Sequence, residues 1–502
     1  MSAVLARRTG SELRADTARV VARLFLPGEE PTVARSRTGA VVARILALDE
    51  ATVEATAEAL LNEFAGRYPD FPALLARHAS IVSSHLDRAL ELSAARTVLL
   101  GATFTAAYSV EGAALCNPSG VLHPDQGGLQ PGQARVALSV RGIGEGHVSS
   151  IGFATAVIGP AATWQFDPRP LPAVAGAATT ARWRTMHLSA VLAGRTTLDE
   201  ITSTVLRALP SDFDTADFER VLAKVHPDLL GRHSATTAVD NLRTAVSSAY
   251  EVSFPADVAL GQQVLMPANA QESNGMEDAR FVRFVDGDGK PDYRATYTAY
   301  DGHRIAIRML TSPDLRTFRA LPLTGVAAQN KGMALFPRLV AGQHLALSRS
   351  DGETTSLATS PDGFTWTPVQ ALQQPAESWE LVQVGNCGSP IETDAGWLVL
   401  THGVGPMRTY GIGAILLDLD DPTRVLGRLR SPLLQPGADE RDGYVPNVVY
   451  SCGALLHDGV VWIPYGIDDI RIGVAWVPLD ELLTALSVNG EIRSQERTST
   501  RS

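Results

Sequence analysis

Apolar and polar positions alternate in short runs through most of the chain and fall into helical spacing near its start. Five runs, 135–141 (RVALSVR), 294–300 (RATYTAY), 344–350 (HLALSRS), 397–403 (WLVLTHG) and 460–466 (VVWIPYG), are rich in β-branched or aromatic residues and close on polar groups. Each predicts a strand. Upstream of four of them stands a segment built around a proline: Asn117-Pro118-Ser119, Phe336-Pro337-Arg338, Ser389-Pro390-Ile391 and Val445-Pro446-Asn447. Asp278-Ala279-Arg280 holds the corresponding place in the second register. Proline is tolerated at the first residue of a strand, where its missing amide hydrogen need not join the ladder. A third apolar piece follows each run, at 151–154, 305–308, 356–359, 412–415 and 472–475, and two of these continue as T-S-P-D, at Thr311 to Asp314 and Thr359 to Asp362.

A period of roughly 50 to 60 residues carrying three or four strands predicts a mainly β fold, a five-bladed β-propeller, with a β-sandwich as the alternative. The gap between the first and second registers is too long for one period, so an insertion is expected there. Around Asp49, a plausible N-cap, Val53, Ala57, Leu60, Leu61 and Phe64 follow one helix face. A second helix is predicted to carry Leu74, Leu75, Ile81, Val82, His85, Leu86 and Leu90, with His78 and His85 as packing residues. In the insertion, Thr197 to Glu200 has the form of a capping box ahead of Ile201, Val205, Leu206 and Leu209. The expected organisation is 1–100 as an N-terminal helical region, 101–165 as blade one, 166–260 as a helical insertion, 261–485 as blades two to five, and 486–502 as a flexible tail. Short amphipathic helices need a tertiary partner, so the two helical parts are expected to pack together as one accessory α-helical domain.

Composition narrows the partners. The chain has 502 residues, 45% hydrophobic and 19% charged, with a net charge of -11. That balance argues against nucleic acid or an anionic membrane, both of which demand a basic face. Anything anionic that binds must meet cations gathered locally, and Arg141, Lys331, Arg349 and His402 all stand at strand ends. The early residues carry scattered charges and no apolar run of signal-peptide length, which predicts a cytoplasmic location. Cys116, Cys387 and Cys452 are widely separated, odd in number and without a C-x-x-C, and are expected to be buried free thiols.

If the strand ends converge around a central depression, they bring together Asn117, Arg141, Asp278, Lys331, Arg349, His402, Tyr410 and Asp469. On local grounds alone, Asp278 and Arg280 share a strand face and predict a structural salt bridge. Such a pair would hold the carboxyl low, which is awkward for a proton donor. Glu145 and His147 lie on the glycine-rich stretch 142–150, whose simplest account is a turn and whose alternative is a loop reaching the depression.

The stretch Met276-Glu277-Asp278-Ala279-Arg280 is followed in order by Tyr297-Thr298-Ala299-Tyr300, Asn330-Lys331-Gly332, Ser348-Arg349, His402-Gly403-Val404, Tyr444-Val445-Pro446-Asn447 and Tyr465-Gly466-Ile467-Asp468-Asp469. As an ordered set these motifs resemble glycoside hydrolase family 130, the β-mannoside phosphorylases and related β-mannosidases. The family's E-D-P-R is E-D-A-R here, and its K-D is Lys331-Gly332. The resemblance covers the propeller and not the helical parts. It implies an inverting glycoside phosphorylase that cleaves a β-linked mannoside with inorganic phosphate, reversibly, to give α-mannose 1-phosphate. It also implies Asp278 as the single acid, passing its proton through the 3-hydroxyl of the bound mannose. Lys331, Arg349, His402 and Tyr410 match the phosphate-binding positions. Asn117, Arg141 and Asp469 match groups that hold the sugar, and Tyr300 and Asp301 stand at the corresponding end of blade two. No metal and no cofactor are expected, phosphate being the co-substrate, and the question of a homo-oligomer stays open. Two alternatives remain, an inverting β-mannosidase and a non-catalytic glycan-binding propeller.

Overall fold

The computed structural model describes residues 6–27, 31–64, 66–84, 91–194, 198–230, 234–287 and 289–487; His85, Leu86, Leu90, Thr197 and residues 488–502 lie outside them. The chain divides into two compact units, Asp16–Gly112 with Pro170–Ala175, and Met1–Ala15, Ala113–Arg169 and Gly176–Ser502.

The smaller unit holds the helices Pro31–Leu46, Glu50–Glu63, Phe71–Ser84 and Ala94–Thr103, with a two-stranded sheet of Val20–Leu24 against Thr105–Ser109. Asp49 is the expected cap: its carboxylate accepts from the amide of Thr52 at 2.9 Å, satisfying one of the orphan donors of the first turn. Val53, Val82, Leu99, Leu100 and Phe104 are buried in one cluster. His78 is half-buried, its Nδ1 2.6 Å from Thr105 Oγ1, in keeping with a packing role.

The larger unit is mainly β, and each register of the sequence becomes a set of antiparallel strands, the first and second sets being joined in one sheet by a parallel contact of Gly275 with Ser149. The first runs Ala114–Leu122, Ala134–Ile143, Ser149–Gly159, Thr163–Phe166. The second runs Gly275–Val285, Pro291–Tyr300, Ile305–Ser312, Thr317–Pro322. The third runs Ala334–Leu335, His344–Ser348, Thr355–Ser360, Thr367–Gln373. In the fourth, Gln383–Asn386 and Ile391–Thr393 share the partner Gly396–Val404, followed by Tyr410–Leu417 and Val425–Arg428. In the fifth, Val449–Tyr450 and Leu455–His457 pair with Val460–Ile467, followed by Arg471–Pro478. The innermost stretches of all five sheets, drawn from 120–122, 281–285, 337–338, 389–392 and 454–456, line one cavity of about 370 Å³.

Three expectations are corrected. Arg7–Arg14 is a strand, paired with Arg471–Pro478 as the outer edge of the fifth sheet, and Val20–Leu24 is also a strand. The first of these carries almost no apolar signal because an edge strand faces solvent, and its burial alternates only between exposed and half-buried. The insertion does not join the N-terminal helices in one domain. Its helices Thr185–Ala193, Glu200–Ala208, Thr215–Leu222 and Ala235–Ser247 bury Leu188, Val205, Phe218 and Leu242 in a core that includes Leu321 of the second sheet. Its strands Tyr250–Ser253 and Ala177–Thr180 extend that sheet. The helix Glu200–Ala208 is capped by Asp199, which accepts from Thr202 N at 2.7 Å. Finally, Leu486, assigned to the tail, is fully buried in the core of the fourth and fifth sheets.

Candidate active site

Asp278 occupies a β-bulge. The pairing of Gly275–Val285 with Pro291–Tyr300 slips between Glu277 and Arg280, and Asp278 takes a left-handed φ of 56°. The first sheet repeats the device, with a slip between Cys116 and Ser119 and Asn117 at φ 49°. A bulge re-aims the side chains around it, and Asn and Asp tolerate the left-handed region better than other L residues. The two bulges point at each other: Asn117 Nδ2 donates to Asp278 Oδ1 at 2.6 Å.

Arg141, at the end of the second strand of the first sheet, donates to Asp278 Oδ1 at 3.2 Å, to Glu277 Oε1 at 2.7 Å and to Ser149 Oγ at 2.9 Å. Lys331 Nζ meets the other oxygen of Glu277 at 2.5 Å. The predicted pairing of the Asp278 and Arg280 side chains is corrected, because the bulge breaks the two-residue alternation that would place them on one face. Arg280 donates instead to the carbonyl oxygen of Asp278 at 2.9 Å and to Tyr450 Oη at 2.7 Å. Its charge still counts. Burial alone would raise the Asp278 carboxyl, but Arg141, Arg280, Lys331 and the bond from Asn117 together bring it down to about 2.

A second group forms around His402. Its Nδ1 lies 3.2 Å from the carbonyl oxygen of Asn386 and its Nε2 3.2 Å from Arg349 Nη1. A carbonyl can only accept, so Nδ1 carries the proton and Nε2 accepts from the guanidinium. Burial, then Arg349 and Arg280, push this imidazole well below its ordinary range, consistent with that neutral tautomer. Gly385 makes the arrangement feasible: a Cβ there would lie 2.4 Å from His402 Cε1 and 3.2 Å from Arg349 Cδ. Tyr410 stacks on His402 at 6.1 Å, and Tyr450 meets it edge-on at 4.9 Å. Tyr450, bonded to Arg280, therefore connects the two groups.

Asp469 is the third component. Burial, Asp278 and Asp468 push its carboxyl up to about 6, against the opposing charges of Arg141 and Arg408. Of the expected site residues, the structure thus gathers Asn117, Arg141, Asp278 and Lys331 into one bonded cluster, sets Arg349, His402 and Tyr410 in the next, and couples Asp469 to the first. Tyr300 and Asp301 go elsewhere. Tyr300 Oη donates to Gly302 O at 2.7 Å, and the Asp301 carboxylate accepts from the amides of His303 and Arg304 at 2.8 and 2.6 Å, closing a local turn. Glu277, Asn386 and Tyr450 were not anticipated as site residues. Glu277 was legible beside Asp278 in the same motif, whereas nothing in the pattern marked Tyr450.

Four polar atoms here are out of solvent with no hydrogen-bond partner among the described residues: Asn117 Oδ1, Arg280 Nε, Arg349 Nε and Asp468 Oδ2. Buried polar groups are seldom left so, and their presence marks room for a polar ligand. Arg349 has no carboxylate partner among the described residues, and its one bonded neighbour, His402, is neutral. Asp278 and Glu277 are thus held among cations, and the Arg349 guanidinium, bonded to a neutral imidazole and to no carboxylate among the described residues, is able to accommodate an anion within a mainly β scaffold.

Comparison with known proteins agrees. The family model described as beta-1,4-mannooligosaccharide phosphorylase matches residues 253–487, and the chain belongs to this family, glycoside hydrolase family 130. A 1,2-beta-oligomannan phosphorylase of Thermoanaerobacter sp. is 33% identical over 230 residues, 44% of this chain and 75% of that protein. A beta-1,2-mannobiose phosphorylase of Listeria innocua is 32% identical over 237 residues, 45% of this chain and 64% of that protein. The solved structure of a beta-1,2-mannobiose phosphorylase from Listeria innocua with beta-1,2-mannobiose aligns with a TM-score of 0.44 and 23% identity, over 76% of this chain and 93% of that one.

Proposed function

We propose that this chain is an inverting β-mannoside phosphorylase, using inorganic phosphate to release α-mannose 1-phosphate from a β-linked mannoside. Its five sheets would be the blades of a propeller, a reading supported by one cavity that residues from all five registers line. The observation that carries the function is Arg349, a guanidinium held by a neutral imidazole and without a carboxylate partner among the described residues.

In this mechanism Arg349, His402 and Tyr410 hold phosphate, joined by Lys331 when the anion draws it from Glu277. Asn117, Arg141 and Asp469 hold the mannose. A phosphate oxygen attacks C1 of the mannosyl ring from the face opposite the leaving group, and the glycosidic C1–O bond breaks. The departing oxygen takes its proton from the Asp278 carboxyl by way of the sugar's 3-hydroxyl. Charge-assisted bonds and alignment for in-line attack supply the catalysis, with no second carboxylate needed. Hydrolysis would require such a base to activate water, and Glu277, beside Asp278 in the chain, has both oxygens engaged by cations. The proton on Asp278 follows from the same charges: bound phosphate offsets part of the positive field that keeps the carboxyl ionised, so the carboxyl takes up a proton as the anion arrives.

The test is incubation with β-1,2-mannobiose with and without phosphate. Formation of α-mannose 1-phosphate only when phosphate is present is expected. Equal release of free mannose in both would sink the proposal in favour of a hydrolase.

A further inference from the structure

Two hairpins of the larger unit share one backbone conformation. Gly144 (φ −102°, ψ −161°) and Gly405 (φ −116°, ψ −159°) open them, Gly146 (φ 68°) and Met407 (φ 56°) are left-handed, and Val148 (ψ 123°) and Thr409 (ψ 124°) close them. Between, His147 and Arg408 sit at φ 59° and 54°. Three of these left-handed residues are not glycine, and such strain persists where the surroundings demand it, commonly at ligand sites. The register is also shared. Arg141 and His402, both in the site, precede His147 and Arg408 by the same number of positions, 141 to 147 and 402 to 408.

The tips therefore rise from the strands that deliver site residues, and they reach back over the site. Arg408 acts on Asp469, which in turn feels Arg141 and Asp278. His147 Nδ1 lies 2.8 Å from Tyr444 Oη, with the rings 6.0 Å apart. Tyr444 is fixed beside the Asp468 to Asp469 corner by its two neighbours. Val445 N donates to Asp468 O at 2.9 Å, and Gly443 packs so closely that a Cβ would meet Asp468 Cβ at 2.4 Å. Yet the Tyr444 ring is 45% exposed, unlike the buried Asp278 and Asn117. With the phenol donating to Nδ1, the Nε2 of His147 carries its proton, and that nitrogen has no partner among the described residues.

Building on the phosphorylase function above, we propose that Tyr444 and His147 form the wall of the acceptor subsite, receiving the pyranose that leaves in phosphorolysis and attacks in synthesis. A pyranose offers an apolar C–H face and a polar rim of hydroxyls. The Tyr444 ring matches the first, and the Nε2–H of His147 donates to the second, which is how small-molecule sites divide affinity from orientation. The position suits the second sugar, because the first occupies the buried cluster around Asp278 and its neighbour must emerge at the rim.

The experiment runs the reaction in the synthetic direction, with α-mannose 1-phosphate as donor, mannose as acceptor and phosphate release as readout. Tyr444→Ala raises the KM for mannose about tenfold and leaves the KM for α-mannose 1-phosphate within about twofold. Tyr444→Phe, which keeps the ring and loses the bond to His147, and His147→Ala each raise it about threefold. An unchanged mannose KM in Tyr444→Ala, or a parallel rise for both substrates, overturns the proposal. Should the wild-type protein release no phosphate with any sugar, the phosphorylase function falls, and the wall is then judged by calorimetry with β-1,2-mannobiose. A tenfold weaker binding by Tyr444→Ala upholds it, and equal affinity or no binding to wild type overturns it.

Discussion

Replacing Arg349 by lysine keeps the charge and removes the fork, and the geometry predicts which function that fork performs. Nη1 is committed to His402 Nε2 at 3.2 Å, and Nε is buried without a partner among the described residues. Phosphate can be met by the remaining edge while the first contact persists, so one planar group orients the imidazole and binds the anion together. A lysine ammonium is a point donor that cannot satisfy both at fixed geometry. Losing one charge-assisted hydrogen bond costs about 1.5 to 3 kcal/mol, which corresponds to a rise of roughly 10- to 100-fold in the KM for phosphate. Arg349→Ala loses the Coulombic attraction as well and is expected to exceed the upper figure. Initial rates over a matrix of phosphate and β-1,2-mannobiose concentrations separate the two KM values. If both variants raise the KM for mannobiose and leave that for phosphate untouched, Arg349 belongs to a sugar subsite and the anion site has been misplaced.

Asp278→Asn should lower kcat by about 10²- to 10⁴-fold. Calorimetry of phosphate binding at pH 7, in two buffers of different ionisation enthalpy, should show proton uptake in wild type and none in this variant; equal uptake would locate the proton elsewhere. Asp469 has the opposite shift. Its folded carboxyl holds a proton to about 6, whereas the unfolded chain releases it near about 3.9. Stability should therefore fall as pH rises from about 4 to 6 and stay level above, by up to about 3 kcal/mol, a dependence that Asp469→Asn should lose in denaturant titrations. Glu272 accepts from Tyr250, from Tyr297 at 2.5 Å and from the amide of Ala268 at 3.0 Å. It also pairs with the fully buried Arg308 at 3.1 Å. Glu272→Ala should cost about 3 to 5 kcal/mol by leaving that guanidinium unpaired, and an unchanged denaturation midpoint would contradict this.

The sheets were legible because each register is a short apolar run that closes on polar groups, and Val136, Ala295, Leu347, Val399 and Val461 are all buried as that pattern requires. Arg7–Arg14 was not legible, since a strand paired at one edge and wetted on its faces needs no apolar alternation. Within the site, Asn117, Arg141, Asp278 and Lys331 could be gathered in advance by analogy with a family, yet their mutual geometry could not. The bulge at Asp278 separates it from Arg280, and no count of positions reveals a slipped register. Tyr300 and Asp301 illustrate the converse, because a residue at the corresponding end of a repeat can be consumed by its own turn. Tyr450 contributes through a ring face and one hydroxyl, and such contacts leave no spacing signature.

The pairing of Arg7–Arg14 with Arg471–Pro478 also bears on how the protein is made. Arg7 is bonded to Glu481, 474 positions away, at 2.9 Å, so Arg7–Arg14 waits until a partner far along the chain has been made. Until then the nascent fifth sheet lacks its outer member, and the ladder groups of Arg7–Arg14 have no mate. Closing so long a loop is entropically slow and exposes unpaired edges meanwhile. The fifth sheet is therefore completed only once Arg471–Pro478 has been made, and a chain stalled before Arg471 would present a strand for other chains to capture.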